Sequence, residues 1–167
     1  SRKSFYHDHL TATECISFLG SKSWEKINKF TVVRNSWSRF YSVFGYLSKV
    51  KKIPISLTFS DFLLEAFKIF SNKESKLNVY PKILIPQVSF LKKPDGLIDN
   101  SIKIIKFENR TEDLNRYFNE FDIEFNSSEK LMASDLKDDY RNVYTDFEAD
   151  LVAKMYAEDI ARFDFRF

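Results

Sequence analysis

Glycine is scarce in this sequence. The 167 residues include only three glycines, Gly20, Gly45 and Gly96, where a chain of this length ordinarily carries about a dozen. No two of them have the spacing of G-x-G-x-x-G or of G-x-x-x-x-G-K-[ST]. The sequence therefore excludes a glycine-rich phosphate loop of either kind.

Cysteine, long apolar runs and excess charge are also lacking. Cys15 is the only cysteine, which excludes an intrachain disulfide and argues against a cluster of thiolate metal ligands. No stretch approaches the roughly 18 apolar residues of a membrane-spanning helix, and the first residues lack the pattern of a signal peptide. The net charge of +2 is too small to indicate a nucleic-acid-binding protein. Any anion site must therefore come from the local placement of basic residues.

Large hydrophobic side chains, by contrast, are plentiful. Hydrophobic residues make up 44% of the chain, with 18 Phe and 8 Tyr, which is enough to fill a substantial core. Since the length fits one compact unit, we expect a single domain spanning residues 1–167.

Helix signals recur along the chain. Two capping boxes, in which a threonine is followed three residues later by a glutamate, precede apolar stripes of helical spacing. The first of these helices is predicted to end at Gly20, because glycine commonly terminates helices. Predicted helices begin at Thr11, at about Ser36, at Ser60, at Thr111 and at Thr145, and the last continues without interruption to about Phe163.

Two short β-branched segments, residues 29–34 and 102–107, predict buried strands. Because helices separate them, they favour the α/β fold class with a small parallel sheet flanked by helices. Two strands are few for a complete sheet, so we expect a further pairing partner outside this sequence.

The most informative stretch follows the first predicted strand. Arg34 leaves the carboxyl end of that strand, and Ser38 and Ser42 lie on one face of the next predicted helix. Ligands of open α/β sheets bind at such strand ends, and an arginine there can hold an oxyanion while the hydroxyls add donors. The spacing alone leaves a second interpretation open, namely a solvated arginine followed by an ordinary amphipathic helix.

Residues 33–43, VRNSWSRFYSV, resemble the VRNPxxRxxSxY segment of carbohydrate sulfotransferases. In that family the segment binds the 3′-phosphate of the donor 3′-phosphoadenosine 5′-phosphosulfate (PAPS). The resemblance implies that Arg34 and Ser42 contact this phosphate. Ser36 stands where the family usually has proline and Phe44 where it often has tyrosine, and neither departure touches the two contact positions.

Four further segments extend the resemblance in the family's order. They are WEKINKF at 24–30, the aromatic lead-in to the strand; IPQVSFL at 85–91, similar to PQxxFL; FENRTEDL at 107–114, similar to FExLxxDL; and LVAKMYAEDI at 151–160, similar to LVxxxYxxDI. The resemblance implies a P-loop-NTPase-like sulfotransferase fold, with Gln87 at the acceptor cleft. Lys130 and Arg141 fall in the segment that closes over the nucleotide, and each is otherwise interpreted as a solvated charge.

Two histidines, His7 and His9, flank Asp8 just before the first helix. No third histidine or cysteine cluster supports a metal site, which leaves open a general base or a pair of surface residues. The uronyl 2-O-sulfotransferases carry a similar YHxH segment, whose second histidine is the base. The resemblance therefore implies His9 as the catalytic base and His7 as an accessory group, with no metal.

Taken together, the resemblance implies a PAPS-dependent enzyme that transfers a sulfuryl group to a hydroxyl of a sugar or polysaccharide. The family's PKTxxTS-type loop, which holds the 5′-phosphosulfate, is missing from residues 1–167, so we expect it upstream of Ser1 and expect these residues alone to be inactive. The alternative is a non-catalytic relative, or an unrelated α/β domain, that binds an anionic nucleotide or glycan.

The basic residues Lys49, Lys51 and Lys52 either attract an acidic glycan or are simply solvated. The lack of disulfides favours a bacterial cytoplasmic location, and the alternative is the Golgi lumen for an enzyme whose N-terminal anchor has been removed.

Overall fold

A computed structural model describes residues 9–125 and 139–167 of the chain. Within these ranges the chain is an α/β protein. The strands are β1 (Phe30–Val33) and β2 (Lys103–Lys106). The helices are α1 (Ala12–Leu19), α2 (Ser21–Lys26), α3 (Ser36–Lys49), α4 (Phe59–Phe70), α5 (Arg110–Asn119), α6 (Asp146–Met155) and α7 (Ala157–Phe163). The predictions for His7, Asp8 and Lys130 fall outside the described residues.

The two strands pair in parallel, as the sequence predicts. Phe30 lies opposite Lys103 and Val33 opposite Lys106. Residues 34–102, with α3 and α4, form the crossover between the strands, which is the connection that a parallel pair requires. The predicted α/β class with a small parallel sheet is confirmed at this level.

One side of β1 has no neighbouring strand among the described residues. The carbonyl of Lys29 accepts from the N–H of Lys103 at 2.9 Å. Because alternate residues of a strand present their backbone groups to opposite sides, those of Phe30, Val32 and Arg34 face away from β2. The side chains of Phe30 and Val32 are exposed, so the prediction of a buried strand is wrong for half of β1. The backbone edge of β1 that faces away from β2 borders the site described below.

The main core lies where α3, α4 and α6 pack together. Phe40, Phe62 and Val152, one from each helix, are almost completely buried. The Phe59 ring lies edge-on to the Tyr144 ring at a centroid distance of 4.9 Å, and both rings pack in this core. A smaller cluster forms where α5 covers β2, with Ile105, Leu114 and Tyr117 buried together. Burial of these large side chains is the main stabilising contribution.

Both predicted capping boxes are present. The Thr11 backbone N–H and hydroxyl both bond to the Glu14 carboxylate, and Thr145 makes the same bonds with Glu148. The first helix ends at Gly20, whose φ of 77° lies in the region that favours glycine. These two helix starts and this helix end are confirmed.

Three other predictions about helices are wrong. Helix α4 is capped by Thr58, whereas the hydroxyl of Ser60 donates to the Glu148 carboxylate. Helix α5 begins at Arg110, so Thr111 lies inside its first turn. The predicted long final helix breaks at Tyr156, where φ is −118° and ψ is 29° and the buried side-chain hydroxyl donates to the carbonyl of Leu84 at 2.7 Å. None of the helices in the described ranges is long and apolar enough to span a membrane.

A candidate anion site at the carboxyl edge of the sheet

Arg34 follows the last residue of β1 and lies at the carboxyl edge of the parallel sheet. Its Nε donates to the Ser38 hydroxyl oxygen at 2.8 Å. Its guanidinium carbon lies 4.5 Å from the centre of the Phe107 ring, just after the end of β2. The hydrogen bond and the ring contact together fix the guanidinium where ligands of such sheets bind.

A second arginine contacts the same ring. The guanidinium carbon of Arg110, the first residue of α5, lies 4.7 Å from the centre of the Phe107 ring. Within residues 9–125 and 139–167, neither Arg34 nor Arg110 forms an ion pair with a carboxylate. Burial lowers the pKa of Arg34, and the positive charge of Arg110 lowers it further, while the Glu108 carboxylate acts in the opposite direction. Two guanidiniums at one aromatic ring raise the local positive potential, and the Glu108 carboxylate partly offsets it.

Asn35 forms hydrogen bonds to three parts of the chain at this edge. Its backbone N–H donates to the Glu108 carboxylate at 2.9 Å, and its side-chain Nδ2 donates to the Arg166 carbonyl at 2.7 Å. Its Oδ1 accepts from the N–H groups of Trp37 and Ser38 and so caps α3. Asn35 therefore fixes the end of β1 relative to β2 and to the chain's final residues.

Gln87 is bonded to the backbone of Arg34 on the open side of β1. Its Oε1 accepts from the Arg34 N–H at 2.8 Å, and its Nε2 donates to the Arg34 carbonyl at 2.8 Å. The amide thus occupies the position that a residue of a neighbouring strand would take. The buried Asp159 carboxylate holds Gln87 in turn, since it accepts from the backbone N–H groups of Gln87 and Val88 at 2.7 and 2.8 Å. Gln87 therefore holds the backbone of Arg34 and also lines the larger cleft described below.

The remaining described residues that were predicted to bind the donor, Ser42 and Arg141, lie in different settings. Ser42 is half-buried on α3, one turn after Ser38. Arg141 is exposed and ion-paired with Asp139 at 3.4 Å, and its guanidinium carbon lies 4.7 Å from the centre of the Tyr140 ring. Burial raises the pKa of Tyr140, and the Arg141 guanidinium opposes this increase.

His9 lines two clefts. The larger, of about 700 Å³, follows the open side of β1 and is also lined by Arg39, Lys82 and Gln87. The smaller, of about 450 Å³, lies on the other side of His9. Gln87 lines the larger cleft and is bonded to the backbone of Arg34, whereas Arg34 and Arg110 are not among the described residues that line either cleft.

The backbone of His9 is fixed by its neighbours. Its φ of 62° is in the left-handed region, which a residue other than glycine adopts only where the surroundings hold it. Its carbonyl accepts from the Lys82 Nζ at 3.3 Å, and the same ammonium bonds to the Glu14 carboxylate at 2.6 Å. The hydrogen bond from Lys82, with those from Thr11, lowers the pKa of Glu14 to about 2.

This lowered pKa predicts a loss of stability in acid. The ordinary pKa of the carboxyl, 4.5, applies to the unfolded chain, so the stability that Glu14 contributes is complete above that pH and is lost as the pH falls towards about 2. We expect the melting temperature of the Glu14→Gln variant to fall less steeply than that of the wild type between pH 5 and pH 2, because the variant has lost this titration. Thermal unfolding across that range measures the difference.

Glu25→Gln is the matched control, since Glu25 is an exposed glutamate on the adjacent helix α2. Its pH profile is expected to follow that of the wild type. Identical profiles for Glu14→Gln and the wild type would contradict the role assigned to the pair of Lys82 and Glu14.

Arg110 was not predicted from the sequence as a site residue. A signal for it exists, because it follows β2 by only a few residues, as Arg34 follows β1. In a parallel pair, residues placed in this way meet at the same edge. What the sequence does not reveal is the shared contact with Phe107.

No family model matches this chain, and neither a curated protein nor a solved structure shows significant similarity to it. The resemblance to carbohydrate sulfotransferases therefore rests on the sequence motifs.

Proposed function

We propose that this chain belongs to a PAPS-dependent carbohydrate sulfotransferase with the P-loop-NTPase-like sulfotransferase fold. In this proposal the arginine cluster, formed by Arg34 and Arg110, holds the donor's 3′-phosphate. The observation that carries the proposal is the pair of guanidiniums, of Arg34 and Arg110, at the Phe107 ring. Neither forms an ion pair with a described carboxylate, and the Glu108 carboxylate offsets part of the charge of Arg34. A phosphate monoester carries close to two negative charges at neutral pH. Two arginines at the carboxyl edge of a parallel sheet supply matching charge and hydrogen-bond donors.

The other residues of this edge have supporting roles in the proposal. Ser38 orients the Arg34 side chain through the hydrogen bond from Nε. Ser42, one turn further along α3, adds a hydroxyl donor to the phosphate. Arg141, which is exposed beside Tyr140, and Lys130 add positive charge when the nucleotide binds.

His9 is the proposed general base, and Gln87 is the residue that aligns the strand end. In the reaction, the acceptor hydroxyl oxygen attacks the sulfur of PAPS, and the bond from that sulfur to the bridging phosphate oxygen breaks. The proton of the hydroxyl passes to the imidazole of His9, which lies at the wall between two clefts. Positioning and electrostatic stabilisation supply most of the acceleration in such a group transfer, as in phosphoryl transfer, and the proposal requires no metal.

Nucleotide selectivity tests the proposed donor site. Because the arginine cluster is assigned to the 3′-phosphate, we expect the chain to bind adenosine 3′-monophosphate about ten-fold more tightly than adenosine 5′-monophosphate. That factor corresponds to about 1.4 kcal/mol, within the range of one charge-assisted hydrogen bond. Isothermal titration calorimetry with both nucleotides measures it.

Inorganic phosphate serves as the control ligand, because it tests the anion site without the nucleoside. Weaker binding of inorganic phosphate than of adenosine 3′-monophosphate is expected. Equal affinities for the two adenosine monophosphates would contradict the assignment and would leave only an anion site of low selectivity.

A further inference from the structure

One buried side chain holds both polar groups of the Arg34 backbone. The Oε1 atom of Gln87 accepts from the Arg34 N–H, and its Nε2 atom donates to the Arg34 carbonyl, each at 2.8 Å. A side-chain amide can make both bonds because it carries an acceptor and two donors on one planar group. Gln87 itself is buried. The backbone of Arg34 therefore has the hydrogen bonds that a neighbouring strand would otherwise supply.

The side chain of Arg34 and the residue after it are fixed by other contacts. Its Nε donates to the Ser38 hydroxyl oxygen at 2.8 Å, and its guanidinium carbon lies 4.5 Å from the centre of the Phe107 ring. The next backbone N–H, that of Asn35, donates to the Glu108 carboxylate at 2.9 Å. A side chain that is held in its binding position binds a ligand more tightly, because less conformational freedom is lost in the complex.

Asp159, on α7, holds Gln87 in turn. Its Oδ2 accepts from the Gln87 backbone N–H at 2.7 Å and from Nε2 at 3.3 Å, and its Oδ1 accepts from the Val88 N–H at 2.8 Å. The Asp159 side chain is fully buried, and no basic residue of the described ranges forms an ion pair with it. Burial raises the pKa of Asp159, and the hydrogen bonds from Val88 and Gln87 act in the opposite direction.

The chemistry of Asp159 suits positioning. Moving a carboxylate from water into the interior costs free energy, which hydrogen bonds return only in part, and an apolar side chain carries no such cost. Apolar packing does not fix the orientation of an amide, however, whereas directional hydrogen bonds do. The bonds from Gln87 to Asp159 involve both the backbone and the side-chain amide of Gln87. A chain of hydrogen bonds therefore leads from α7 to the carboxyl edge of the sheet.

We propose that the buried Asp159 carboxylate is a positioning group of the anion site, and that it sets the affinity of the site through Gln87 and the Arg34 backbone. Neither Asp159 nor Gln87 contacts the anion: Gln87 acts through Arg34, and Asp159 acts through Gln87. The inference rests on the anion site of the proposed function, but not on the transfer reaction or on the nucleotide. The ligand class is a phosphate or a phosphate monoester.

Gln87→Met tests the first link, with inorganic phosphate as the probe and the 167-residue chain as the protein. Methionine is similar in length, but it has no donor and is only a weak acceptor. We expect calorimetry to show about five-fold weaker phosphate binding, because ordering Arg34 then costs conformational freedom. We also expect hydrogen exchange of the Arg34 N–H, measured by NMR without ligand, to be about ten-fold faster because its acceptor is lost.

Val88→Ala is the matched control. Val88 is the next residue, is fully buried and is bonded to Asp159 only through its backbone, which the substitution keeps. The change removes buried apolar volume and so lowers stability, but it leaves the Gln87 amide in place. Its phosphate affinity and its Arg34 exchange rate are expected to match those of the wild type. Equal losses of affinity in Val88→Ala and Gln87→Met would show that reduced stability, rather than positioning, is the cause.

Asp159→Asn tests the second link. An amide oxygen still accepts from one N–H group, while the amide nitrogen does not, so phosphate binding is expected to weaken less than in Gln87→Met. The double variant Gln87→Met/Asp159→Asn is expected to lose no more affinity than Gln87→Met alone, because Asp159 acts only through Gln87. An additive loss in the double variant, or an unchanged affinity in Asp159→Asn, would overturn the role of Asp159.

The outcomes for this inference and for the proposed function are separable. If these variants weaken phosphate binding as expected but the adenosine monophosphates are not discriminated, this inference holds and the donor-site proposal fails. If the nucleotides are discriminated and Gln87→Met binds phosphate like the wild type, only this inference fails, even where exchange of the Arg34 N–H is faster. A wild-type chain that binds neither phosphate nor nucleotide overturns the anion site itself.

Discussion

Arg34→Ala is expected to weaken binding of adenosine 3′-monophosphate by about 50-fold. The substitution removes the guanidinium that Ser38 and Phe107 hold at the carboxyl edge of the sheet. Losing a charge-assisted contact to a phosphate costs about 2–3 kcal/mol, which corresponds to this factor. Calorimetry at fixed ionic strength measures the change. Arg34→Lys is expected to recover only part of the loss, because an ammonium keeps the charge but lacks the planar fork.

Arg116→Ala is the matched control for Arg34→Ala. Arg116 carries the same charge but lies exposed on α5 in an ion pair with Asp113 at 3.5 Å, so its loss is expected to change the affinity less than two-fold. Arg110→Ala is expected to produce an intermediate loss, since its guanidinium contacts the same ring as Arg34. If Arg34→Ala and Arg116→Ala bind the nucleotide equally well, the donor site is elsewhere.

Asp159→Ala is expected to lower the free energy of unfolding by about 3–5 kcal/mol. The Asp159 side chain is fully buried and accepts from the backbone N–H groups of Gln87 and Val88. Its removal leaves two buried donors without an acceptor and also leaves a cavity. Each effect lowers the free energy of unfolding. Since a domain of this size is stable by roughly 5–15 kcal/mol, the variant is expected to be near its unfolding transition at moderate urea. Urea denaturation at neutral pH measures the loss.

Glu158→Ala, the neighbouring substitution, provides the comparison for Asp159→Ala. Glu158 is exposed, and its carboxylate pairs with the Lys92 ammonium at 2.9 Å, a surface ion pair that contributes at most about 1 kcal/mol. Asp159→Asn is expected to be intermediate, because an amide oxygen still accepts from one N–H group while the amide nitrogen does not. A loss in Asp159→Ala no larger than in Glu158→Ala would show that the carboxylate does not hold the Gln87 segment.

The elements that the sequence predicts correctly are those with local signals. The capping boxes at Thr11 and Thr145 are complete within four residues, and the two strands are marked by short β-branched runs, so both follow from neighbours in the chain. At the break, the Tyr156 hydroxyl bonds to the Leu84 carbonyl, 72 residues away. No pattern of local residues contains that information, and the helical periodicity runs through the break.

In the candidate site, too, local signals predict some residues, whereas contacts between distant residues are not predicted. Arg34 was predicted because a basic residue that follows a strand reaches the carboxyl edge of a parallel sheet. The bonds of Gln87 to the Arg34 backbone span 53 residues, and a glutamine in a segment without regular structure gives no sign of them. The joint contact of Arg34 and Arg110 with Phe107 depends on the pairing of β1 and β2, which only the folded chain establishes.

The contacts of Asn35 have a consequence for how the chain folds. Asn35 bonds to Glu108, 73 residues later, and to Arg166, 131 residues later. Closing loops of this length costs conformational entropy, which the packing of the folded chain offsets. The strand end that carries Arg34 is therefore complete only in the folded chain. A ligand of this site binds only molecules that have finished folding, so at 100 times its dissociation constant it adds about 2.7 kcal/mol to their stability by mass action.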